Sequence, residues 1–101
     1  AMDILLLGEE YDAAQALRGG LVSKVAADGA KEGRALAEAI AARGPLAVRY
    51  AKEAASRGGE MSLEQGLRYE ADLSVLLQTT EDRAEGLRAF FEKRPPNFTG
   101  S

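Results

Sequence analysis

Apolar residues recur along this chain at helical spacing, and glycines and prolines fall between the apolar runs. Asp12 is an N-cap for a short helix over Ala13 to Arg18, and Gly19-Gly20 stops it. Leu21-Val22-Ser23-Lys24-Val25 alternates in β fashion and predicts a short extended segment, not part of a large sheet. From Ala30 to Arg43 the spacing predicts a helix with Leu36 and Ile40 on one face. Gly44-Pro45 ends that helix and starts the next, since Gly suits the position past a helix end and Pro the first turn. Pro45 to about Arg57 then presents Val48, Ala51 and Ala55 as a narrow seam of small residues, and such a seam lets two helices approach closely.

Ser62 opens a further helix with a capping box to Gln65. On its wheel Leu63, Leu67, Tyr69, Leu73, Leu76 and Leu77 cover a broad arc, which Ala71 and Val75 widen. A helix apolar over so much of its surface needs cover on more than one side, and the chain has few large side chains elsewhere to supply it. The expectation is a missing partner surface. Glu70 falls inside the arc, with two readings: a carboxylate paired to an arginine, or a catalytic acid with a raised pKa. No second acid or histidine accompanies it to favour the second.

The last helix is the best punctuated. Thr79 or Thr80 caps it, Glu81, Asp82 and Glu85 suit its positive end, and Ala84, Leu87 and Phe91 predict one buried face with Phe90 beside it. Lys93 and Arg94 suit the negative end, and Pro95-Pro96 forbids continuation. Phe90 and Lys93, at i and i+3, lie on adjacent turns. Taken alone, they are a core ring and a solvated charge. Together they are also a pair suited to a purine ring and a neighbouring phosphate.

Composition narrows the chemistry. The chain has 101 residues, no Cys, no His and no Trp. Disulfides, thiolate sites and the commonest general base and metal ligand are thereby excluded. The net charge of −3 comes from interspersed signs without a basic block, so nucleic-acid binding by phosphate neutralisation has little support. Ile4 to Leu7 is the longest run of large apolar residues, too short to span a membrane. The paired glycines read as turns, because no Walker lysine or G-x-G-x-x-G fingerprint accompanies them. Met2 to Leu7 begins inside an apolar pattern without a cap, which reads as a cut, by design or by a protease.

Two blocks carry a resemblance. Leu5-Leu6-Leu7-Gly8-Glu9-Glu10-Tyr11-Asp12-Ala13-Ala14 through Gly20-Leu21-Val22 to Val25 resembles the "LLTGE…DA…A…GLV…V" segment of the enoyl-CoA hydratase/isomerase (crotonase) superfamily. Glu81-Asp82-Arg83-Ala84-Glu85-Gly86 through Ala89-Phe90-Phe91-Glu92-Lys93-Arg94-Pro95-Pro96-Asn97-Phe98 is similar to that family's "EDxxEGxxAFxEKRxPxF" ending.

The resemblance implies an all-α chain of five or six helices, the C-terminal helical trimerisation region of the crotonase fold without its N-terminal spiral of ββα units. Within it, residues 1–29 form a short helix, a turn and an extended segment, and residues 30–101 the helical part with a C-terminal tail. It implies a parent that adds water to 2-trans-enoyl-CoA thioesters in fatty-acid or related acyl-CoA metabolism, in the cytoplasm. The oxyanion hole and catalytic glutamates would lie upstream, so no catalytic residue, metal or resident cofactor is expected here and the piece alone is expected to be inactive. The implied partners are copies of the same chain, as a trimer or dimer of trimers, and acyl-CoA, with no nucleic acid and no membrane. Phe90 and Lys93 match the positions that approach coenzyme A across the subunit interface. Isomerase, dehydratase and thioester hydrolase members share this ending, and a free-standing helical interaction module remains the alternative outside the family.

Overall fold

A computed structural model describes residues 2–101. Six helices appear among the described residues, and no strand: α1 Met2–Leu7, α2 Ala13–Arg18, α3 Gly29–Ala41, α4 Pro45–Gly58, α5 Leu63–Gln78 and α6 Glu81–Glu92. The chain divides into two compact units, Ala1–Leu36 and Ala37–Ser101, and the boundary falls within α3.

The first unit is built from local signals. The run Met2–Leu7, for which the sequence reading assigned no element, is helical, with Leu5, Leu6 and Leu7 exposed. Asp12 caps α2 as expected, and it forms a reciprocal box with Gln15 that the sequence reading did not assign. Gly20 closes α2 at φ 73°: its N–H donates to Leu17 O and the Leu21 N–H donates to Ala16 O. That pattern is the Schellman closure, in which one residue turns left-handed so that two free carbonyls find donors. Residues 21–25 are irregular, without a sheet partner. Lys24 pairs with Glu32 on α3.

In the second unit α4 packs on α5. Ala47, Ala51, Ala54 and Ala55 of α4 line a groove facing Leu73 and Leu77 of α5, so Ala51 and Ala55 of the predicted seam are joined there by Ala47 and Ala54, while Val48 does not line it. Its closest approach lies at glycines: a Cβ on Gly66 would stand 3.2 Å from the Gly58 carbonyl oxygen. The Tyr69 hydroxyl donates to Glu53, which also pairs with Arg57 at 3.5 Å, and this ties the two helices by a polar contact. The hydrogen bond to Glu53 is the main reason the Tyr69 phenol is raised above its ordinary pKa.

Ser62 caps α5 through the predicted box with Gln65. Only part of the predicted apolar arc is covered. Leu73 is buried and Tyr69 and Leu77 are half-buried, while Leu63, Leu67, Val75 and Leu76 remain exposed. Glu70 is exposed and forms no ion pair among the described residues, so the reading of a partly buried, arginine-paired carboxylate is corrected. The α4 residues opposite it are alanines and a tyrosine, which offer no cation.

Candidate functional site

The site is built on the end of α6 and the segment that folds back from it. Thr80, not Thr79, is the N-cap: its hydroxyl accepts from the Arg83 N–H at 3.2 Å, while Thr79 closes α5. Arg94 precedes a proline, which disfavours helical backbone at that position, and the helix stops at Glu92. Lys93 then turns left-handed at φ 52°, the only non-glycine to do so among the described residues. Its N–H donates to Phe90 O at 3.3 Å and the Arg94 N–H donates to Ala89 O at 3.1 Å. This is the same closure that Gly20 makes for α2. With a lysine in the left-handed position it costs about 1 kcal/mol more than with glycine.

The sequence reading placed Ala84, Leu87 and Phe91 on the buried face of α6; Ala84 is half-buried, but the structure reverses the other two. Asp82 and Ala89 are buried and Glu85 and Gly86 are half-buried, whereas Leu87 is 44% exposed and Phe90 and Phe91 are each 77% exposed. At about 100° per residue those two sets lie on opposite sides of the helix. The physical reason is the tail. Residues 94–101 run back along α6, and backbone amides need acceptors more than they need a greasy surface.

Two carboxylates one turn apart supply those acceptors. Glu85 takes the Arg94 guanidinium in a bidentate pair, Nη1 to Oε1 at 2.6 Å and Nη2 to Oε2 at 3.0 Å, and accepts the Asn97 N–H at 2.9 Å. Asp82 accepts the Thr99 N–H at 2.7 Å and the Gly100 N–H at 2.9 Å, and its own N–H donates to the Ser101 carbonyl at 3.1 Å. The Phe98 ring lies over Gly86, where a Cβ would meet it at 3.6 Å. Arg94 therefore does not serve as a charge on the α6 terminus, as the sequence suggested. It is engaged by Glu85 and by Glu92, the latter at 2.6 Å from Nε.

The Arg94 hydrogen bond, followed by that from the Asn97 amide, lowers the Glu85 carboxyl to about 2 from its ordinary 4.5. Folded chain thus binds fewer protons at Glu85 than unfolded chain between those values. The stability due to this group is present above about pH 4.5 and is lost as the pH falls toward 2. In thermal melts between pH 7 and pH 3, Glu85→Gln is expected to melt below wild type at neutral pH, with the gap narrowing in acid. A gap independent of pH would mean that the carboxylate charge is not what matters.

Of the two residues singled out from sequence, Phe90 packs edge-to-face on Phe91, with centroids 5.7 Å apart and planes at 76°, and projects from the exposed side of α6. Lys93 is exposed at the left-handed cap, so it stands beyond the helix end and not on its next turn. It has no carboxylate within ion-pair distance among the described residues. The sequence reading missed the tail-binding roles of Asp82 and Glu85, having assigned both to the helix dipole. The signal that was available is Pro95-Pro96, which turns the chain out of the helix and lets it return over those acids.

A helical chain that ends in an exposed aromatic pair, a lysine without an ion-pair partner among the described residues and a carboxylate-tied tail is the class these features define. The family described as enoyl-CoA hydratase/isomerase matches residues 1–101, and the chain belongs to it. It is 50% identical over 101 residues to a protein of Mycobacterium bovis named a probable enoyl-CoA hydratase, covering 98% of this chain and 39% of that protein. It is 47% identical over 103 residues to the (E)-benzylidenesuccinyl-CoA hydratase of Thauera aromatica, covering 100% of this chain and 40% of the relative. Among solved structures, an enoyl-CoA hydratase from Mycobacterium tuberculosis superposes with a TM-score of 0.90 at 34% identity, covering 99% of this chain and 40% of that one. The chain thus spans about two fifths of the length of these relatives. No helix among the described residues is long and apolar enough to cross a membrane.

Proposed function

We propose that this chain is the helical C-terminal part of an enzyme that hydrates 2-trans-enoyl-CoA thioesters. In that enzyme it serves assembly and completes the coenzyme A site of a neighbouring subunit through Phe90 and Lys93. The observation that carries the hydratase reading is the 50% identity, along nearly the whole chain, to a protein named as such a hydratase. Support for the ligand role comes from the end of α6, where an exposed ring and an ammonium without an ion-pair partner among the described residues stand close in sequence. A phosphate beside such an ammonium gains a charge-assisted hydrogen bond, and a purine finds an uncovered aromatic face. Water addition also needs donors to the thioester oxygen and groups that move protons. None of those roles is assigned to residues of this chain. A cytoplasmic setting belongs to the same proposal and follows from the resemblance alone.

Hydration kinetics with crotonyl-CoA, in the full-length protein that carries this chain, test the reading. Lys93→Ala is expected to raise KM about tenfold with kcat little changed, the signature of a ligand contact made equally in ground and transition states. Isomerisation of the double bond without hydration would move the parent to another branch of the family.

Assembly has its own test. Leu63 and Leu67 on α5 and Phe90 and Phe91 on α6 are exposed hydrophobics of the kind that mark interfaces. Sedimentation velocity of the chain is expected to give species larger than a monomer, with Leu63→Glu/Phe91→Glu shifting the balance to monomer. A compact monomer at high concentration would count against self-association through these helices.

A further inference from the structure

Helices α2 and α6 end in the same closed turn, yet α6 puts a lysine where α2 puts a glycine. Gly20 adopts φ 73° at no steric cost, whereas Lys93 at φ 52° does not. A non-glycine persists in that region only where its surroundings over-determine it, and such positions cluster at ligand-binding sites. Here the surroundings do so from both sides. Upstream, the Lys93 and Arg94 N–H groups are tied to Phe90 and Ala89. Downstream, the Arg94 fork is seated on Glu85 and its Nε on Glu92, so the residue after Lys93 cannot unwind without breaking three charge-assisted bonds.

The same contacts separate two neighbouring cations. Arg94 is 39% exposed and neutralised by two carboxylates, while Lys93 is exposed with no such partner among the described residues. The tail does not require the Glu85–Arg94 pair as its sole anchor, because Asp82 holds Thr99 and Gly100 and Phe98 lies over Gly86.

We infer that Glu85 and Arg94 are positioning residues: their bidentate pair holds Lys93 left-handed and so fixes the direction in which its ammonium leaves α6 toward an anionic ligand. The identity of that ligand rests on the coenzyme A reading above, while the backbone limb stands on the geometry alone.

Titration calorimetry with free coenzyme A on the full-length protein, with thermal melts of each variant, tests both limbs. Lys93→Ala is expected to weaken binding about tenfold. Glu85→Gln, and Arg94→Lys, which keeps the charge but loses the fork, are each expected to weaken it about fivefold, and to add nothing further in a Lys93→Ala background. Lys93→Gly is expected to raise Tm while weakening coenzyme A as much as Lys93→Ala does, which a purely structural residue would not do. If Lys93→Ala binds like wild type, the coenzyme A reading fails and the inference with it. If Lys93→Ala weakens binding while Glu85→Gln and Arg94→Lys do not, only the positioning role is overturned. Equal losses with and without Lys93 overturn it as well, since the pair would then act through the fold at large. A Lys93→Gly variant that melts at or below wild type would show that the left-handed backbone carries no strain to be held.

Discussion

Asp82→Ala is expected to destabilise the chain by about 3 kcal/mol in urea unfolding, the largest single-site loss foreseen. Asp82 is 7% exposed, and its carboxylate accepts two backbone amides, from Thr99 and Gly100, at 2.7 and 2.9 Å. Removing it strands both donors and takes a negative charge from the first turn of α6, where the helix dipole favours one. Asp82→Asn keeps one acceptor oxygen and loses the charge, so about half the cost is expected. Hydrogen exchange should localise the damage: the Thr99 and Gly100 amides lose protection while those in the middle of α5 keep theirs. A loss below about 0.5 kcal/mol would mean that the tail contributes nothing to stability.

Gly66→Val is expected to cost about 2 to 3 kcal/mol, from overpacking between α4 and α5. The position faces the Gly58 backbone, and even a methyl would approach its carbonyl oxygen to 3.2 Å. Gly66→Ala meets the same contact but gains about 1 kcal/mol of helix propensity, so the two effects nearly cancel. Valine adds branched carbons with no room to turn and lacks most of that propensity gain. Gly33 in α3 has nothing within 4 Å of where a Cβ would stand, and Gly33→Ala serves as the control that registers propensity alone. If Gly66→Val were as stable as wild type, α4 and α5 would not meet as closely as described.

Much of the helix count was legible because its signals are local. Asp12, Ser62 and the Thr79-Thr80 pair announce helix starts, and each start lies within a residue of its cap. Gly19-Gly20 announces an end with equal economy, whereas Gly44-Pro45 marks only the start of α4: α3 already stops at Ala41, and Gly44 is the α4 N-cap at φ −58°. The short helix Met2–Leu7 was not legible, since a run of leucines without a cap fits helix and strand alike. The family was legible too, from two motif blocks at the ends of the chain.

The face of α6 was the point at which periodicity failed. Spacing identifies where large apolar residues lie, and it takes for granted that they are the ones covered. Within this chain the covering element is the tail, an irregular length of backbone that needs hydrogen-bond acceptors, and it chose Asp82 and Glu85 over Leu87 and Phe91. The roles of Lys93 and Arg94 were hidden for the same reason. A basic pair at a helix end suggests two equivalent charges, yet one is neutralised by Glu85 and Glu92 and the other turns left-handed and stays unpaired among the described residues.

The sequence by itself therefore determined five of the six helices among the described residues, most of their caps and the family, because helix starts and stops depend on residues a few positions apart and the family on two short motif blocks. Only the tertiary structure decided which side of α6 is inside, why Gly66 must stay small and how Lys93 is presented. Those depend on partners 8 to 18 positions away, Glu85 with Arg94, Gly58 with Gly66 and Asp82 with Gly100, and no local pattern encodes such meetings.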